Sequence, residues 1–192
     1  MTTGEEDVLL PRRGFQQSTD IAPNGREVTY IERGPEGGFH ASTLQLEGER
    51  LPRSLFGSDS RQEDVRFSPD GAFIAYRSDE SGEWEAYVAP LANPSGKVRI
   101  SQQGARHLRW RRDGAEILFI SPAGKMIAVP VRTGTEIKIG APVTLFTLPE
   151  GKPWFDFDVT SDGQRFLVVE RLQTSGSYPA SAILNWTPKT SN

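Results

Sequence analysis

Two histidines, His40 and His107, are the only side chains of this chain with an ordinary pKa near neutral pH, and the chain has no cysteine. Hydrolysis would need a serine held beside one of these histidines, or a second histidine at metal-binding spacing. The sequence contains neither a Gly-x-Ser-x-Gly turn nor a His-Glu-x-x-His pair. We therefore expect a chain that is not an enzyme, with no metal site and no cofactor.

The clearest concentration of charge surrounds one of these histidines. Five residues within a short segment form a candidate binding group, namely Arg106, His107, Arg109, Arg111 and Arg112. A basic group of this kind could dock an acidic peptide. The alternative is a solvated or channel-facing set of charges, balanced by Glu63, Asp64, Glu83 and Glu85. The sequence leaves both interpretations open.

Overall charge and composition restrict the partners. The formal net charge is −3, and no run of Lys or Arg is long enough to follow a phosphate backbone, so we expect no nucleic-acid partner. Only three consecutive apolar residues, at positions 8–10, follow the acidic start of the chain. We read no signal peptide and no membrane span in the sequence, which predicts a cytoplasmic location for the chain as written.

Four similar turns indicate where the strands that must position these charges begin and end. Each turn places Asn or Asp before glycine and separates two apolar strands: Asn24 and Gly25, Asp70 and Gly71, Asp113 and Gly114, Asp162 and Gly163. A short Asn or Asp side chain accepts hydrogen bonds from its own turn, and glycine takes a positive φ without steric cost. We therefore interpret these eight residues as structural turns.

The turns recur at a spacing of roughly 40–50 residues, which is typical of the four-stranded blades of a β-propeller. The sequence thus predicts an all-β, propeller-like fold with four repeats of four-stranded antiparallel blades. We expect a single domain over residues 1–192, with blades at about 14–57, 63–102, 105–147 and 153–187.

The two ends of the chain leave two arrangements open. The fourth repeat shows only three strands, and residues 8–10 could supply the missing one as a closing strand of a four-blade ring. Alternatively, the chain is part of a larger propeller, and an open arc of four blades could associate as a homodimer.

The segment from Phe67 to Gly71, followed by Ile74, Ala75 and Tyr76, resembles the repeat of TolB-type propellers. Such propellers also form the non-catalytic domain of prolyl oligopeptidase-like peptidases. Residues 109–114, 126–131 and 161–167 make the chain more similar to the C-terminal propeller of bacterial receptor-like serine/threonine kinases. That resemblance implies a longer parent with a kinase domain, often a membrane span, more than four blades and an extracytoplasmic propeller.

These observations predict a non-catalytic binding or scaffold module that meets a protein or peptide. The alternative is an accessory propeller of a prolyl oligopeptidase-like hydrolase whose catalytic domain lies elsewhere. Kinase motifs are not found in the sequence, so a sensor role would belong to a longer protein.

Overall fold

The computed structural model describes residues 8–10, 14–34, 37–57, 59–149, 154–170 and 180–183. These residues form four antiparallel sheets, and their one helical element is a 3-10 turn at Pro94–Gly96. The predicted all-β, propeller-like class is confirmed. No helix among the described residues has the length and apolar character needed to cross a membrane.

The first two sheets each have four strands in simple up-and-down order. The first sheet contains β1 (Gln16–Ile21), β2 (Glu27–Arg33), β3 (Phe39–Gln45) and β4 (Pro52–Ser54). The second contains β5 (Gln62–Phe67), β6 (Phe73–Ser78), β7 (Glu85–Pro90) and β8 (Val98–Arg99).

The third sheet is wider at its outer edge, and the fourth has three strands among the described residues. The third contains β9 (Arg106–Trp110), β10 (Glu116–Ile120), β11 (Lys125–Arg132), β12 (Lys138–Ile139) and β13 (Val143–Thr147). Both β12 and β13 pair with β11, and Pro142, which has no N–H to donate, lies in the break between them. The fourth contains β14 (Trp154–Val159), β15 (Phe166–Glu170) and β16 (Ala180–Ile183).

The sheets stack face to face because their middle strands are apolar on both sides. In β6, Phe73 and Ala75 pack toward the third sheet, whereas Ile74 and Tyr76 pack toward the first. Successive residues of a strand point to opposite faces, so a strand buried on both faces must carry a continuous apolar run. An equivalent layer joins the third and fourth sheets and contains Leu118, Ile120, Met126, Phe157 and Val168.

Consecutive sheets also meet along their first strands, where β5 contacts β1, β9 contacts β5, and β14 contacts β9. These first strands are the inner strands of the arrangement. The four sheets therefore follow one another like propeller blades.

Residues 8–10 correct one sequence prediction, since they form no strand. Leu10 packs instead against Val28, Tyr30 and Leu44, on the face of the first sheet that points away from the second. The extent of the domain and the closure of the ring stay predictions, and residues 184–187 of the predicted fourth blade lie outside the described residues.

Candidate binding groove and central cavity

The four predicted turns have the same geometry. Gly25, Gly71, Gly114 and Gly163 have φ values of 70, 72, 72 and 71°. In each turn the Oδ1 atom of the preceding Asn or Asp accepts the backbone N–H two residues further along, at 2.9–3.0 Å. These side chains therefore stabilise the turns through hydrogen bonds to the backbone.

The turns of the second, third and fourth sheets each lie against the turn of the preceding sheet. A Cβ atom added to Gly71 would lie 3.5 Å from Cδ of Pro23, and one added to Gly114 would lie 3.7 Å from Cδ of Pro69. At Gly163 the nearest atom would be Cδ of Arg111, at 3.3 Å. The turns thus form a row along one end of the sheets.

The five residues of the candidate basic group are not brought together. Arg111 pairs with Asp113 at 2.6 Å and with Glu116 at 2.7 Å inside its turn, and Arg112 is exposed in the same turn. Arg106 lines a side cavity with Trp84, while His107 and Arg109 point to the centre of the molecule. A register shift between β9 and β10 falls at His107, which has φ 50°, so Arg106 and His107 do not alternate as in a regular strand.

A central cavity of about 400 Å³ lies between the inner strands of all four sheets. Ser18, Asp64, His107 and Asp156 line it from equivalent positions ahead of the four turns. Asp64 and His107 have φ values of 51 and 50°, which are uncommon for residues other than glycine. Aligning the four repeats on their turns would have identified this ring of residues from the sequence.

The charges of the central cavity neutralise one another. The Asp64 carboxylate pairs with Arg66 at 2.7 Å and also accepts the backbone N–H of Leu108 from the next sheet. Arg109 donates to Asp156 at 2.7 Å, and Arg77 pairs with Glu63. The ion pair between Arg109 and Asp156 and the hydrogen bond from Leu108 to Asp64 connect neighbouring sheets at this cavity.

Burial decides the protonation of the central histidine. Desolvation lowers the pKa of His107, and this effect outweighs the opposing influence of Asp64 and Asp156. The nearest atom pair, Nδ1 of His107 and Oδ1 of Asp156, is 3.8 Å apart, which is too long for a hydrogen bond. The lowered pKa favours the uncharged imidazole at neutral pH.

An open groove of about 620 Å³ lies between the second and third sheets, at their outer edges. The strand β8 has only two residues, whereas the facing edge of the third sheet is formed by both β12 and β13. The short strand leaves part of the third sheet uncovered. The apolar residues of this groove include Ile100, Phe119, Ile127 and Ile139.

The loop that forms one wall of the groove is fixed from inside. Glu85 is only 4% exposed, and its carboxylate accepts hydrogen bonds from the Ser101 hydroxyl and from the backbone N–H of Gly104. Ser101 Oγ in turn accepts the backbone N–H of Ala86 at 2.8 Å. Gly104 has φ +86°, and a Cβ there would lie 2.6 Å from Cγ of Pro122, so only glycine fits this close approach.

No family model matches the chain. A stretch of 89 residues is 29% identical to dipeptidyl aminopeptidase BIII of Pseudoxanthomonas mexicana, and it covers 42% of this chain and 13% of that enzyme.

Solved structures are similar over nearly the whole chain. TolB of Acinetobacter baumannii superposes with a TM-score of 0.69 and 20% identity, over 97% of this chain and 45% of TolB. The β-propeller domain of the Trilobed protease from Pyrococcus furiosus gives a TM-score of 0.53 and 16% identity, over 89% of this chain and 54% of that one. The chain thus spans about half the length of these propellers. At identities this low the similarity shows the fold alone, and that fold is a β-propeller arrangement of blades.

Proposed function

We propose that this chain is a non-catalytic propeller module that binds a segment of a partner protein in the groove between the second and third sheets. The groove itself is the observation that carries the proposal. Its volume of about 620 Å³ lies in the range of ligand sites, and its floor combines four large apolar side chains with an open top. A short extended peptide could place an apolar side chain on this floor.

The central cavity supports a binding function less well. Its carboxylates are engaged by arginines, and Asp64 also holds the backbone of the next sheet. In the described part of the chain, no hydrogen bond joins the imidazole of His107 to a hydroxyl group, so no hydroxyl is activated as a nucleophile. We therefore assign the cavity to holding the sheets together.

Peptide selection tests the proposal directly. A random peptide library displayed on phage is selected against the folded chain, and the peptides obtained are measured against Ile139→Asp and Ile127→Asp variants. We expect each variant to weaken binding by about ten-fold or more, because a carboxylate would replace apolar surface on the groove floor.

Ile21→Asp is the matched control, since Ile21 is 59% exposed and lies on β1, outside the groove. Peptides that bind both groove variants as tightly as the control would overturn the proposal. Circular dichroism of each variant shows whether the strands are retained.

A second candidate is an accessory role for a peptidase. The 29% identity to dipeptidyl aminopeptidase BIII favours it, and the resemblance to the propeller of receptor-like kinases favours a sensor role in the same way. In either case the groove would meet another domain of a longer protein. The reading frames next to the coding sequence test these alternatives, because they would encode a peptidase or a kinase domain.

A further inference from the structure

We propose that the groove selects partner segments in which carboxylates flank an apolar anchor residue. This inference rests on the proposed function and specifies the chemistry of its partner. It is carried by Arg99 and Lys125, two exposed cations that line the groove from opposite walls, Arg99 at the end of β8 and Lys125 at the start of β11.

The described residues that line the groove carry positive charge without a matching negative charge. No Asp or Glu is among the described residues that line it. Neither Arg99 nor Lys125 has an ion-pair partner within the described ranges, whereas nearby cations do: Lys97 pairs with Glu80, and Arg61 pairs with Asp79. The groove is thus a positive site on a chain with a formal net charge of −3.

The groove between the two cations strengthens their effect on a charged partner. Groove walls have a low dielectric constant and focus the electric field of the charges beside them. Two cations therefore attract an anionic partner more strongly there than on a flat surface. A partner carboxylate near Arg99 or Lys125 would gain an ion pair without displacing an existing one. The apolar floor between the two walls adds the second requirement, a partner side chain such as Leu, Ile or Phe.

Polyanions without apolar groups fit the groove less well, because they would leave this floor exposed to water. A poly-glutamate peptide therefore serves as a probe of charge alone. We expect it to bind more weakly than selected peptides that carry both acidic and apolar residues.

The test compares peptides selected from the same random library on three proteins: the wild-type chain, an Arg99→Glu and Lys125→Glu double variant, and an Arg112→Glu control. Arg112 is an exposed arginine of the third sheet outside the groove. We expect wild-type selections to be enriched in Asp and Glu next to an apolar residue. The double variant should bind these peptides about ten-fold or more weakly and should itself select Lys and Arg.

The outcomes separate this inference from the proposed function. Peptides that depend on Ile139 but show no acidic enrichment, and that bind the double variant unchanged, would overturn the inference and leave the groove as the site. Peptides that are indifferent to Ile139 would overturn both. An equal loss of affinity in the Arg112→Glu control would also contradict the inference, because it would show an effect of overall charge.

Discussion

Asp113 shows how one side chain can hold a turn and an ion pair together. Its Oδ1 atom accepts the backbone N–H of Ala115 at 3.0 Å, and both carboxylate oxygens accept hydrogen bonds from the guanidinium of Arg111. These hydrogen bonds favour the ionised form. The Arg111 side chain, followed by the Ala115 N–H, lowers the pKa of Asp113 from 3.8 to about 2.

Replacing Arg111 with glutamine should raise the pKa of Asp113 toward 3.8, since the principal donor is lost. Because the folded-state pKa lies below its ordinary value, the stabilisation is complete above about pH 4 and is lost as the pH falls toward 2. Carbon NMR of the aspartate carboxyl groups measures the shift. Arg112→Gln is the control, and an equal rise in that variant would contradict the assignment.

The turn glycines make a separate prediction about stability. Gly71 and Gly114 both have φ +72°, and a Cβ at either would have only ordinary contacts, at 3.5 and 3.7 Å. The cost of alanine therefore comes from the backbone, and we expect each substitution to lower the free energy of unfolding by about 1 kcal/mol.

Urea denaturation checks this expectation, with Gly134→Ala as the control. Gly134 has no positive φ and no atom within 4 Å of an added Cβ, so its substitution should leave the midpoint unchanged or slightly raised. Midpoints of the Gly71 and Gly114 variants that equal the control would show that the turns tolerate a side chain.

At the scale of elements, the loop after β8 depends on one hydroxyl. Ser101→Ala would remove a donor to buried Glu85 and an acceptor for the Ala86 N–H, so two buried groups would each lose a partner. We expect a loss of about 1–3 kcal/mol in the free energy of unfolding. Thermal and urea unfolding measure it, and peptide affinity for the groove should fall in parallel.

Ser54→Ala is the comparison, because Ser54 is exposed and its hydroxyl donates to the Phe56 carbonyl near the surface. A change in the Ser54 variant as large as that in the Ser101 variant would argue against a special role for the buried network around Glu85.

Local signals in the sequence predicted the elements well, because each strand pair is marked by its own turn. Asp70 with Gly71, followed by the apolar run of β6, specifies a hairpin without reference to the rest of the chain. The groove was not predictable in this way, since it depends on the lengths of two edge strands in different sheets. The arrangement of the basic group was also not predictable, because the sequence does not show that Arg111 is paired with Asp113.

At the scale of the whole molecule, the first sheet has an apolar face that no other sheet covers among the described residues. Leu10 packs on this face with Val28, Tyr30 and Leu44, whereas Val8 is 71% exposed. Leu10→Asp should therefore lower the unfolding temperature and promote self-association, because it uncovers buried apolar surface.

Val8→Asp is the control and should have the unfolding temperature and the state of association of the wild-type chain. Light scattering distinguishes a monomer near 21.2 kDa from a homodimer or larger species, and calorimetry gives the unfolding temperature. A dimeric wild-type chain that Leu10→Asp leaves intact would favour an open arc completed by a second copy.

The stacking of the sheets in sequence order has a consequence for how the molecule opens. The second and third sheets each share apolar layers with two neighbours, whereas the fourth shares a layer only with the third in the described part of the chain. In an open arc of sheets, local opening starts at the ends and moves inward, so for that arrangement amide protons should exchange with solvent fastest in β15 and slowest in β6 and β10. The groove lies between the two sheets that open last, and a partner could remain bound while the end of the array is already exchanging.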